Sequence, residues 1–225
     1  MCFVLARSDF VRVDVWADLV CPWCYLGKRR FERALAEFEH ADEVEVVHHS
    51  FQLDPTFPRG EVRDTNEVLI EKYGMTPEQA KKSGVEMEER AAADGLEYTM
   101  AGLRMGNTVD AHQLVHLGAE HGIADTVMER LYRAHFTEGR SLFDHDSLVE
   151  LAADAGLDAE EARRVLTEGT YAAAVEADGQ QARSLGANGV PFFVLDERYG
   201  VSGAQPTELF AQALDRAWSD THASA

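Results

Sequence analysis

The chain has 225 residues and a formal charge of −19. That length supports one large domain or a domain carrying an insertion, and the ordinary apolar fraction supports a sizeable core. So acidic a balance repels nucleic acid and anionic membranes, which argues against both as partners; its plain reading is solubility.

The opening Met1-Cys2-Phe3-Val4-Leu5-Ala6 is too short for a signal-peptide core and has no basic residues before it. No run reaches the ~18 apolar residues of a membrane helix, so the expected location is cytoplasmic. Cys2, Cys21 and Cys24 are too few for a disulfide framework. The close pair points to redox chemistry, and Cys2 is assigned no role.

Residues 11–18 set Val11, Val13 and Val15 against Arg12, Asp14 and Trp16, a strand pattern. Cys21-Pro22-Trp23-Cys24 follows and opens a helix read from Tyr25 to Phe38, with Leu26, Phe31, Ala34, Leu35 and Phe38 on its apolar face. Val44, Val46 and Val47 begin a second strand that runs to Phe51. Asp54-Pro55 and Phe57-Pro58-Arg59-Gly60 end it with turn residues. This β-α-β unit predicts a parallel strand pair.

From about Asp64 to Tyr171 the chain reads as helical hairpins. Thr76-Pro77-Glu78-Gln79 is a capping box with proline at the first helical position. Asn107 or Thr108 caps a helix to His121; Asp146 caps another that ends at Gly156; Asp158 with Glu161 begins the next. Gly95 to Met105 reads as a loop or short extended passage. A helix from Tyr171 to Leu185 then leads to the apolar strand Val190–Leu195. A hairpin at Asp196–Gly200 and a last helix after Pro206 complete the chain. The order predicts an α/β, thioredoxin-like fold with a large all-helical insertion. Residues 11–63 and 172–219 form the discontinuous core, and residues 64–171 the insertion.

Cys21 is the candidate nucleophile. At a helix start, N–H groups point at its sulfur and favour the attacking thiolate. Cys24, one turn on, is the resolving thiol. Pro22 suits the first helical position, and Trp23 shapes the substrate surface beside the sulfur. Two inert core cysteines, or half of a zinc site completed by His48 and His49, are the competing readings. Neighbouring strand residues point to opposite faces, which disfavours the zinc site. Pro191, after Val190, is either an ordinary trans proline at a strand start or a cis proline that frees backbone groups for a bound peptide. From residues alone the trans form is the simpler reading.

Trp16-Ala17-Asp18-Leu19-Val20-Cys21-Pro22-Trp23-Cys24-Tyr25-Leu26-Gly27-Lys28 resembles the opening of DsbA-like oxidoreductases of the FrnE type. Asn107-Thr108-Val109-Asp110-Ala111-His112 is similar to that family's Asn-Thr-x-x-Ala-His stretch. Gly189–Val194 and Val201–Pro206 resemble its closing segments, so the likeness spans residues 11 to 218. It implies a redox pair at Cys21 and Cys24 and a cis proline at Pro191. Periplasmic DsbA proteins usually carry Pro-His between the cysteines; Trp23 in place of histidine implies a less oxidising pair. Related glutathione-dependent 2-hydroxychromene-2-carboxylate isomerases and kappa-class transferases usually have serine where Cys21 stands.

The function expected is thus that of a thiol-disulfide oxidoreductase or isomerase acting on protein or peptide thiols and disulfides. It needs no metal or bound cofactor, and glutathione or a thioredoxin-type partner would recycle it. Pro22, Trp23, Val190, Asn107 and Thr108 are candidate substrate contacts, the last two being helix caps first. A glutathione-dependent isomerase or transferase of a small aromatic compound, and a non-catalytic chaperone-like module, are the alternatives. His112 is read as a structural histidine, and His135 and His145 as surface or cap residues.

Overall fold

The computed structural model describes residues 10–222. Cys2 and the apolar start lie outside the described residues. Strand β1 (Val11–Ala17) keeps the expected alternation: Val11, Val13 and Val15 enter one apolar core and Trp16 another on the opposite face. Helix α1 (Pro22–Ala36) takes proline as its first residue and ends two residues short of Phe38. Strand β2 (Val44–Ser50) pairs parallel with β1, Val13 opposite Val46 and Ala17 opposite Ser50.

The middle of the chain is mostly helical. After β3 (Val62–Asp64) come α2 (Thr65–Tyr73) and α3 (Pro77–Ala93), the latter starting on the expected Thr76–Gln79 capping box. Strand β4 (Arg104–Gly106) pairs antiparallel with β3. The extended alternative for the end of the Gly95–Met105 segment therefore applies, in a strand too short to show periodicity. Helices α4 (Val109–Glu120), α5 (Ala124–Phe136), α6 (His145–Asp154) and α7 (Ala159–Glu168) follow. The cap of α6 is Asp144, not Asp146. Asp144 accepts the Ser147 N–H at 2.9 Å, whereas Asp146 already lies in the first turn and pairs with Arg163.

Helix α8 (Ala172–Ser184), strands β5 (Phe192–Leu195) and β6 (Tyr199–Ser202), and helix α9 (Thr207–His222) close the fold. The main sheet has the order β2-β1-β5-β6, with β5 antiparallel to both neighbours. On one face Val13, Val15, Phe193 and Leu195 pack with Phe31 of α1 and Phe210 and Leu214 of α9. On the other, Trp16, Phe192 and Val194 pack with Ala182 of α8. The third core belongs to the helical insertion but includes Cys21, Cys24, Tyr25 and Leu26. The insertion is therefore packed directly on the start of α1. This is the α/β class expected, a mixed sheet with a helical insertion. Among the described residues no helix is long and apolar enough to cross a membrane.

A polar seam joins β1, β2 and α8. His49 reaches Asp14 at 2.7 Å and Asp178 at 3.3 Å through its two ring nitrogens, and its ring stacks on Trp16. Burial works against the imidazolium, but the hydrogen bonds to Asp178 and Asp14 outweigh it and raise the His49 pKa. His48, next along β2, turns the other way, toward Asp125. The His49 contribution to stability is complete below the ordinary histidine pKa of about 6.5 and is lost as pH rises through the raised folded value. Urea unfolding should show His49→Gln costing about 2 kcal/mol at pH 6 and markedly less at pH 9. A cost independent of pH would contradict this assignment.

Candidate active site

The first cysteine sits at the junction of strand and helix. Cys21 is the residue capping α1, in extended backbone, with Pro22 first in the helix. Its N–H donates to the Asp18 carbonyl at 3.1 Å, which tightens the turn out of β1. The Cys21 Sγ lies 3.7 Å from the Val190 carbonyl oxygen, and the Val190–Pro191 bond is cis. Pro191 therefore stands opposite the dithiol, in the cis form that the family resemblance implied.

Cys24 is almost fully buried. Its Sγ accepts the Asp18 N–H at 3.4 Å. Burial pushes the Cys24 thiol well up, and its hydrogen bond to Cys21 and the Cys21 charge push it further. The pair is thus unequal: Cys24 is held protonated behind Cys21, which lines the cleft. Both are free thiols.

Residues of the insertion hold this turn from outside. The Tyr98 hydroxyl donates to the Pro22 carbonyl at 2.8 Å, and the Tyr132 hydroxyl to the Asp18 carbonyl at 3.3 Å. Burial raises the pKa of both phenols, so they remain donors. Tyr25 stacks between them. Lys28 is also buried and ion-paired with Glu32, Asp125 and Glu129; these pairs outweigh its desolvation and raise its pKa.

Asp18 and His112 form a pair that sequence reading did not single out. They are 1% and 0% exposed, and the His112 Nε2 lies 3.3 Å from Asp18 Oδ1. The other carboxylate oxygen accepts the Leu53 N–H at 2.7 Å. An acidic residue three positions before Cys21 was the available sign, but its partner lies 94 residues away in the chain.

A cleft of about 520 Å³ opens in front of Cys21. Pro22, Trp23, Gly189 and Val190 line one side, and residues of α2, α3 and β4 the other. Trp23 is 42% exposed, with the Arg90 guanidinium over its ring. Asn107 and Thr108 lie apart from this lining. The Asn107 side chain donates to the Phe57 carbonyl and accepts from Gln52 and the Val109 N–H, while Thr108 is buried in a small recess beside Asp18. His135 corrects the surface expectation: it is buried beside the cleft, and burial pushes its pKa down to about 4. Its ring packs edge-on against Phe136, the last residue of α5, and against Phe143.

Gly27 explains how α1 comes so close to Pro191. A Cβ there would lie 2.7 Å from Pro191 Cγ and 3.4 Å from the Ala204 Cα, and neither atom belongs to a flexible chain end. Gly27→Ala should cost about 2 kcal/mol by overpacking. It should also slow disulfide exchange by shifting Pro191 away from the sulfur. Thermal unfolding with an exchange assay checks both, and wild-type behaviour in both would contradict the contact.

The model of the DSBA-like thioredoxin domain family matches residues 12–215. A probable DsbA oxidoreductase from Streptomyces coelicolor is 51% identical in sequence. Its structure superposes with a TM-score of 0.90, over 93% of this chain and 91% of that one. The Bacillus subtilis protein YwbO is 27% identical over 91% of this chain and 96% of its own. The cytosolic disulfide reductase DsbM of Pseudomonas aeruginosa, solved with GSH, shares the fold at 19% identity. Its TM-score is 0.64, over 91% of this chain and 98% of that one.

Proposed function

The chain belongs to the DSBA-like thioredoxin domains, and from that premise we propose that it is a thiol-disulfide oxidoreductase or isomerase working through Cys21 and Cys24. The observation that carries the reading is the unequal pair: Cys21 at the head of α1 facing the cleft, Cys24 buried behind it and held protonated. In the reducing direction the Cys21 thiolate attacks a substrate disulfide. A Cys21–substrate S–S bond forms, the substrate bond breaks, and one substrate thiolate leaves. Cys24 then gives up its proton and attacks the Cys21 sulfur. The Cys21–Cys24 disulfide forms, the second substrate thiolate leaves, and two electrons have passed to the substrate. The reverse sequence oxidises a dithiol.

Cys24 needs a proton acceptor at the second step. Asp18, buried with its backbone N–H on the Cys24 sulfur, is the group we assign to it, and His112 positions the carboxylate. Pro22, Trp23, Val190 and Pro191 contact the substrate, and the insertion, residues 64–171, roofs the cleft. Protein or peptide disulfides are the proposed substrates, the cytoplasm the proposed location and glutathione the proposed recycling thiol. The GSH held by the cytosolic DsbM supports the last two. Insulin reduction in the presence of a small dithiol tests the activity. The chain should accelerate precipitation of the insulin B chain, and a rate equal to that of the dithiol alone would overturn the reading.

A further inference from the structure

Asp178 of α8 bonds to β1, β2 and α4 at once. Its carboxylate accepts the Ser50 N–H of β2 at 2.8 Å. It also reaches His49 Nδ1 at 3.3 Å and, on α4, His116 Nε2 at 3.2 Å. Burial opposes its charge, but the hydrogen bonds from His116, His49 and the Ser50 N–H outweigh it and hold the carboxyl well below the usual range. The Asp178 backbone carbonyl accepts the Trp16 indole N–H of β1 at 3.1 Å. Trp16 is what these bonds hold in place. Its side chain is buried, stacks on the His49 ring and meets the Phe192 ring at 6.0 Å. Ala187, Phe192 and the partly buried Val190 pack in the same apolar cluster as Trp16. Between Leu185 and Val190 only Ala187 is buried, so this cluster is what anchors the link from α8 to Pro191.

Resting on the reading that Cys21 exchanges disulfides with polypeptides, we propose that Asp178 is a positioning residue for that reaction. Through His49 and Trp16 it sets where Val190 and Pro191 stand against the Cys21 sulfur, which lies 3.7 Å from the Val190 carbonyl oxygen. Asp178 itself is absent from the cleft lining. A shift of about an ångström in Val190 and Pro191 misaligns a peptide backbone laid beside them, and misplacement on that scale slows a reaction by up to about a hundredfold. A small disulfide without that backbone is indifferent to the shift.

The test uses the full chain with Cys2→Ser and Cys24→Ser, which leaves Cys21 as the one thiol. Two probes carry the same thionitrobenzoate disulfide: cysteine alone, and a pentapeptide with cysteine at its centre and glycine and serine around it. In each, the Cys21 thiolate attacks the cysteine sulfur. The new S–S bond forms, and thionitrobenzoate leaves with the electron pair as a coloured thiolate. The peptide should react about tenfold faster than cysteine alone, because it alone has backbone to lay along Val190. Asp178→Ala should abolish that preference while cysteine alone reacts within about twofold of its former rate. Asp178→Asn keeps the shape and an oxygen for the Ser50 N–H, and it should restore most of the preference. His49→Gln removes the stack on Trp16 and should lower the preference about threefold, which decides the matter should the alanine variant not fold. A preference unchanged in these variants, or both probes slowed alike, would overturn the positioning role and leave exchange at Cys21 standing. Equal rates for the two probes before any change at Asp178 would overturn it as well. Rates no higher than those of an unstructured cysteine peptide would overturn the exchange reading itself.

Discussion

Cys21→Ser should reduce insulin reduction to the uncatalysed rate, whereas Cys24→Ser should accumulate a mixed disulfide with its substrate. The two variants differ because the two sulfurs have different surroundings. Cys21 caps α1 with the Val190 carbonyl nearby and the cleft in front. A serine hydroxyl there is not ionised and cannot form the covalent intermediate. Cys24 lies behind, buried and protonated. Its loss leaves the first attack possible and removes the step that releases product. Gel mobility without reductant, with mass analysis of the adduct, distinguishes the roles. A Cys21→Ser protein that still forms the adduct through Cys24 would reverse them.

The next largest effect is expected at Asp18. Asp18→Ala removes the acceptor for the Leu53 N–H and the partner of His112 from a buried site. Stranding those groups should cost roughly 3 kcal/mol in urea unfolding. Asp18→Asn retains an acceptor oxygen and the shape of the side chain, so most of the stability should remain. What it loses is a carboxylate able to take the Cys24 proton. The mixed disulfide should then resolve about a hundredfold more slowly in a single turnover. The attack by Cys21 should change much less, and the pH dependence of the resolving step should move upward. Unchanged resolution in a folded Asp18→Asn protein would leave Asp18 a purely structural role.

What could be read from the sequence follows from how local each feature is. The β1 valines, the Thr76 capping box and the Cys-Pro-Trp-Cys turn are written in neighbouring residues, and the structure forms each of them. The parallel pairing of β1 with β2 follows from the β-α-β order. Asp144 was missed as a cap because Asp146, two residues on, has the same chemistry; only the position of Ser147 decides between them. Burial of His135 depends on which face α5 turns inward, a tertiary matter. The Asp18–His112 pair depends on where the insertion comes to rest against α1. No spacing in the chain encodes a contact across 94 residues.

The central claim is that Cys21 and Cys24 form a reversible dithiol-disulfide couple. Equilibrating the full chain in graded ratios of reduced to oxidised glutathione, then trapping free thiols with an alkylating agent and mapping the modified peptides by mass, tests it most directly. The account predicts one cooperative transition. Cys21 and Cys24 should lose their alkyl labels together, the peptide should become lighter by two hydrogens, and reduction should restore both. Thiols that stay labelled at every ratio, or a glutathione adduct on Cys21 that Cys24 never displaces, would contradict it.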